Sequence, residues 1–168
     1  MPSLKLSLLV SYLALATSAA RAEPPWADDC GKPEKAPLLA QGCTVLDNFM
    51  TAFNAGEPKA WAATLNFPHV RLAGNEVQVW STAEEYARQN DVRELGKSGW
   101  SRSRWDWRRL VQQSPDKLHF LVQFTRFSAD NKLIGSYESL YIVTRKDGHW
   151  GVQARSSYAG VAVKGSAF

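Results

Sequence analysis

Apolar residues return at three- and four-residue steps through Val45, Leu46, Phe49, Met50 and Phe53, the spacing that lines one face of a helix. A first helix is therefore predicted from near Cys43, with Gly56 as its stop after Asn54-Ala55. Pro58 opens a short second helix through residues 59–63, since a missing amide hydrogen costs nothing in a first turn. Pro68 ends any helical continuation, and Val70-Arg71-Leu72 reads as a brief strand. Gly74-Asn75 turns the chain into Glu76-Val77-Gln78-Val79-Trp80, whose alternation predicts a strand with Val77 and Val79 on one face. Thr82 and Glu85 have the spacing of a capping box, so a third helix is expected over residues 83–95, closed by Gly96 and Gly99.

Four longer strand-like runs follow, at residues 102–112, 117–127, 133–145 and 149–157. The connections Ser114-Pro115-Asp116, Ser128-Ala129-Asp130-Asn131 and Lys146-Asp147-Gly148 are short and rich in turn residues, which predicts antiparallel hairpins. Leu118, Phe120, Val122 and Phe124 share one face of the second run, and Leu121 and Phe127 lie on the other. Helices first and a strand meander last give an α+β class, a curved antiparallel sheet wrapped around three N-terminal helices.

The N-terminus has a different character. Lys5 precedes an apolar run from Leu6 to Ala20, shorter than the about 20 apolar residues of a membrane-spanning helix. The run ends in Ala20-Arg21-Ala22, followed by Glu23-Pro24-Pro25, which reads as a signal peptide over residues 1–22 and predicts a periplasmic or secreted protein with no stable membrane insertion after cleavage. Residues 23–42 contain Pro24, Pro25, Pro33 and Pro37 and little periodicity, so an irregular arm is expected there, with one domain over residues 43–168. Cys30 and Cys43, carried into an oxidising compartment, are expected to pair as a disulfide; two buried thiols are the alternative.

The element order is also that of the nuclear transport factor two-like (SnoaL-like) superfamily. Phe53-Asn54-Ala55-Gly56-Glu57-Pro58, Trp61-Ala62-Ala63-Thr64-Leu65 and Gly148-His149-Trp150-Gly151-Val152-Gln153-Ala154-Arg155-Ser156-Ser157 resemble an exported bacterial branch with no assigned activity. The resemblance covers about Cys43 to Tyr158. It implies a cone-shaped pocket between the concave sheet face and the helices, and a homodimer formed through the outer sheet face. It does not imply one activity, because the fold hosts isomerases, dehydratases, cyclases and silent assembly modules.

Candidate chemistry is sparse. Between His69 and Gly74 there is no Asp or Glu, so the general base of the isomerase branch is missing from its expected position, and His69 is the replacement with a suitable pKa. His69 and Arg71 share a strand face and suit a carboxylate or enolate ligand; the alternative is two structural residues. Arg155 on the last run is a second anion-anchoring candidate, or a salt-bridge partner of Glu138. Gln153, Arg155 and Ser157 are expected on one face of that run, with Trp150, Val152 and Ala154 on the other.

Seven tryptophans are present. With Tyr137 they suit an aromatic-lined pocket, with Trp80 and Trp105 as ligand-facing candidates, although a plain core is the alternative for each. Trp105 and Trp107 are expected on a common face. The basic, aromatic stretch at Arg102, Arg104, Arg108 and Arg109 resembles a nucleic-acid stripe, but Asp106 lies among these residues and the formal net charge is only +4, so no nucleic acid is expected. No metal spacing, phosphate loop or dinucleotide fingerprint is present, and neither metal nor cofactor is predicted. The function expected from these features is an exported domain that binds a small apolar or anionic molecule. The rival readings are an isomerase, cyclase or dehydratase using His69 as base, and a non-catalytic assembly module.

Overall fold

The computed structural model describes residues 27–32 and 34–159; the segment read as a signal peptide lies outside them. A 3-10 turn at Asp29–Gly31 precedes helices α1 (Pro37–Ala55) and α2 (Pro58–Ala62), strands β1 (Leu65–Ala73) and β2 (Glu76–Trp80), helix α3 (Ala83–Gln89) and a 3-10 helix at Val92–Ser98. Strands β3 (Trp100–Ser114), β4 (Lys117–Ser128), β5 (Leu133–Lys146) and β6 (His149–Ser157) follow. The architecture is α+β, with the helices against one face of a six-stranded sheet ordered β2-β1-β6-β5-β4-β3. Every pairing is antiparallel except β1 with β6, which is parallel and joins the two halves of the chain.

α1 starts at Pro37, so residues 37–42, expected to be irregular, are helical. Proline supplies a first helical position without loss of a bond. The added turn also brings Gly42 against β4, where a Cβ would meet Leu118 Cδ1 at 2.5 Å. The stripe of Val45, Leu46, Phe49, Met50 and Phe53 is buried as its spacing requires. Gly56 ends the helix at φ 69°, the left-handed conformation that glycine adopts without strain.

The third helix stops at Gln89, six residues short of the expected end. Asn90 is extended there and its side chain donates to the Tyr86 carbonyl (2.9 Å), while Asp91 caps a separate 3-10 helix by accepting from Arg93 N. The amide and carboxylate compete with the helical backbone for its own bonding groups. At the other end Thr82 accepts from Glu85 N (3.1 Å) and Glu85 reaches back to Ser81 N (2.8 Å).

Three register shifts in β3 and one in β6 redirect side chains that simple alternation misplaces. Trp105 lies opposite Phe124 and Trp107 opposite Gln123. Asp106 is thus an extra residue, and the two tryptophans take opposite faces. In β6, Ala154 pairs with Ile142 and Val152 with Val143, so Gln153 is extra and Val152 faces the core together with Arg155 and Ser157. β1 is longer than expected, and its ladder to β6 is irregular between Leu65 and Val70, around the cis Phe67–Pro68 peptide.

The N-terminal turn is tied down at three points. Cys30 and Cys43 form a disulfide. Asp28 accepts from Arg108 N (3.0 Å) and Asp29 from Leu110 N (3.0 Å), amides on the side of β3 that has no neighbouring strand. Two exposed edge amides are satisfied without a further strand.

Candidate functional site

The face of the sheet turned toward the helices is built in cross-strand rows. Arg71 of β1 lies opposite Arg155 of β6, which lies opposite Tyr141 of β5, and Tyr141 in turn faces Phe120 of β4. Residues directly opposite one another share a face, so the row places two arginines side by side under α1. Ser157 and Ser139 form the next row and are hydrogen-bonded at 2.8 Å. Further along, Ser103 of β3 stands opposite Arg126 of β4.

Most of these residues meet around a cavity between the sheet and α1. Its lining combines Arg71, Arg126, Arg155, Tyr141, Ser103 and Ser157 with the apolar Phe49, Met50 and Phe53 of α1, Phe124 and Ala159. The cavity is small, about 20 Å³, which is room for one ordered water. The three arginines are buried, with exposures of 1% for Arg71, 7% for Arg126 and 6% for Arg155. Burial, then the neighbouring Arg155, depresses Arg71 from its ordinary value to about 9. Burial likewise lowers Arg126.

Arg155 is oriented by neutral partners. Its Nη2 donates to the Tyr86 hydroxyl at 2.9 Å, and its Nε donates to His69 Nε2 at 3.4 Å. Its guanidinium carbon lies 5.3 Å from the ring centres of both Phe49 and Trp61, close enough for a cation–π attraction. Burial is the main influence on Tyr86 and raises its pKa, which keeps the hydroxyl protonated.

His69 is fully buried, and its Nδ1 lies 3.0 Å from the Val152 carbonyl oxygen. A carbonyl only accepts, so the ring carries its proton on Nδ1 and presents the Nε2 lone pair to Arg155. Burial, then the Arg155 charge, brings the imidazole down to about 3. His69 is therefore neutral at physiological pH, with both nitrogens engaged. Glu138 is exposed and does not reach either His69 or Arg155; its backbone oxygen accepts from Tyr158 N.

Of the residues singled out in the sequence, Arg71 and Arg155 line the cavity and His69 stands behind Arg155. Trp80 lies outside it, against His69 and Tyr86, with its indole N–H donated to Gln89 (3.0 Å). Trp105 packs on Phe124 and Tyr141 and donates to the Leu46 carbonyl (3.2 Å). Tyr137 packs on Phe124, with Arg126 over its ring. Sequence reasoning placed Ser157 on the face of Arg155 without giving it a role, and did not single out Arg126, Tyr141 or Ser103. The alternation of β4 offered the one available signal, since Arg126 continues the inward series Leu118, Phe120, Val122 and Phe124. Among the described residues, no group of three or more His, Cys, Asp or Glu is placed to hold a metal ion.

Residues 43–159 match the family model described as NTF2-like protein (DUF6841). No curated protein matches the chain. Among solved structures the chain is similar to a cystatin-like-fold protein of unknown function from Nostoc punctiforme, with TM-score 0.61 and 13% identity over 77% of this chain and 97% of that one. It is also similar to a ketosteroid isomerase-like protein from Erwinia carotovora atroseptica, with TM-score 0.56 and 19% identity over 74% and 97% of the two chains. A third similar structure, from Catenulispora acidiphila in complex with S-DNPA, has TM-score 0.58 and 14% identity over 74% and 94%. Identities this low speak for the fold alone.

Proposed function

This chain belongs to the NTF2-like DUF6841 family, and on that premise we propose that it is an exported, non-catalytic domain that binds a small molecule in the cone between sheet and helices. The observation that carries the reading is the gathering of six polar side chains from five strands around a cavity with an aromatic wall on α1. Apolar walls with a few convergent polar groups are what small-molecule sites are made of. The complex of the Catenulispora acidiphila protein is in keeping with a ligand on this fold.

The rival isomerase reading needs a base with a free lone pair near the substrate. His69 is a poor candidate, because its Nε2 faces Arg155 and burial lowers its proton affinity. Support for an assembly module comes from the small size of the cavity, about 20 Å³. Export is supported by the Cys30–Cys43 disulfide, a bond that persists in oxidising compartments.

A homodimer through the outer sheet face belongs to the same reading. Leu72, Val77 and Val79 are exposed there at 42%, 64% and 55%, an apolar stretch that a partner would remove from water. Sedimentation as a monomer at micromolar concentration would count against it.

Binding is tested by screening small metabolites for a rise in melting temperature. A ligand at a hundred times its dissociation constant stabilises by about 2.7 kcal/mol, well within reach of the method. A saturable rise is expected for at least one chemical class. A flat response across the screen, joined to a ring-sized or larger assembly in solution, would replace this reading by the assembly module.

A further inference from the structure

We infer that the turn at residues 28–31 is a strap closed over the free edge of β3 and fastened by the Cys30–Cys43 disulfide, so that reduction of the disulfide uncovers that edge. β3 ends the strand order and has β4 as its one neighbouring strand. A terminal strand carries a row of backbone groups that the sheet does not pair. Side chains meet three of its amides. Asn54, near the end of α1, accepts from Ser103 N (2.8 Å) and donates to the Ser103 carbonyl (2.9 Å). Asp28 accepts from Arg108 N (3.0 Å), and Asp29 accepts from Leu110 N (3.0 Å).

These covers differ in what holds them. Asn54 belongs to a 19-residue helix whose apolar stripe is buried. Asp28 and Asp29 open a 3-10 turn in which Cys30 is the one buried residue. Their side chains are 27% and 19% exposed, and ion pairs partly in water hold weakly. Arg108 is anchored without the strap, because its Nη1 also donates to Asp47 of α1. The covalent bond to Cys43 of α1 is what keeps both carboxylates at the edge, by giving them a high effective concentration there. The turn therefore stays closed while the disulfide stands and opens readily once it is cut.

A dithiol supplies the cut. One thiolate attacks a sulfur of the pair, the Sγ–Sγ bond breaks, and the second thiol resolves the mixed disulfide. Cys30 and Cys43 become thiols by gaining two electrons and two protons, and the dithiol is oxidised to its own disulfide. Cys30, 7% exposed and followed by exposed Gly31 and Lys32, is nearer to water than Cys43 at 3%. An oxidising compartment thus favours the closed strap and a reducing one the open strap.

The test measures residue-resolved amide hydrogen exchange of the full chain, oxidised and after treatment with dithiothreitol, with the freed thiols counted by alkylation and mass. Reduction is expected to speed exchange at Arg108 and Leu110 at least roughly tenfold, while Ser103 on the same edge and Val122 and Val143 in the sheet interior stay within about twofold. Reoxidation should restore the slow exchange. In oxidised Asp29→Ala, Leu110 should accelerate and Ser103 should not. Unchanged exchange at Arg108 and Leu110 after reduction would overturn the fastening. Equal acceleration at all five amides, or unfolding on reduction, would overturn it too, because the disulfide would then hold the whole domain and not the strap. A disulfide that the dithiol leaves intact in the folded chain would overturn the redox control, and unaltered Leu110 exchange in Asp29→Ala would overturn the assignment of the cover.

Discussion

Two buried arginine environments in this molecule differ in the company the guanidinium keeps. Arg108, 7% exposed, meets two carboxylates: Asp28 accepts from its Nη2 at 3.0 Å and from its Nε at 3.3 Å, and Asp47 accepts from its Nη1. Arg155, 6% exposed, meets the hydroxyl of Tyr86, the lone pair of His69 and two aromatic faces. The first arrangement cancels the charge and closes the N-terminal turn over the edge strand. The second surrounds the charge of Arg155 with neutral groups, and Arg71 lies beside it in the cross-strand row. Burial alone therefore does not distinguish the two arginines; the charge of their partners does.

The comparison can be broken most sharply from its structural side. Arg108→Met is expected to cost about 2–3 kcal/mol in chemical denaturation, somewhat less than the about 3–5 kcal/mol of a fully buried pair. The discount reflects partners partly in water, with Asp28 and Asp47 side chains 27% and 59% exposed. A loss below about 0.5 kcal/mol would put Arg108 in the same class as the cone arginines.

Acid titration probes the neutral partner in the cone. His69 has a folded pKa of about 3, below its ordinary 6.5, so the unfolded chain takes up a proton that the folded chain refuses. The stability tied to neutral His69 is present in full above pH 6.5 and is lost as pH falls from there toward 3. The expected slope is about 1.4 kcal/mol per pH unit from this one group, or roughly 2 kcal/mol by pH 5. In His69→Gln that share of the acid sensitivity should vanish. An unchanged profile would mean that the imidazole is protonated in the folded protein and that Arg155 is placed differently.

The smallest effect is expected within the cavity. Arg126→Met removes a guanidinium that lies 5.7 Å and 5.0 Å from the ring centres of Phe124 and Tyr137, and the loss of these cation–π contacts is expected to cost about 1 kcal/mol without ligand. A fall of 3 kcal/mol would make Arg126 a structural element like Arg108, and the contrast between the two regions would collapse.

The helical stripe on α1, the capping of α3 at Thr82, the four long strands and the inward series on β4 were all legible in the sequence. Each depends on neighbours a few residues away and on a period of two or 3.6. So was the common face of His69 and Arg71, since two residues apart on a regular stretch of strand is enough.

The cavity itself was not legible. Arg71 is opposite Arg155 because β1 and β6, more than eighty residues apart in sequence, pair in parallel, and no local pattern encodes a partner at that distance. Asp106 and Gln153, each the extra residue of a bulge, set which faces Trp107 and Val152 take, and alternation predicts the opposite. Even the state of His69 is a tertiary outcome. The chain supplies an imidazole with an ordinary pKa, and only the Val152 carbonyl, the Arg155 cation and the exclusion of water make it a neutral acceptor. Local sequence fixed the elements and their buried faces, because those follow from short-range sterics and hydrophobic period. Strand pairing and burial decided the site, because charge and hydrogen bonding act between residues that only the fold brings together.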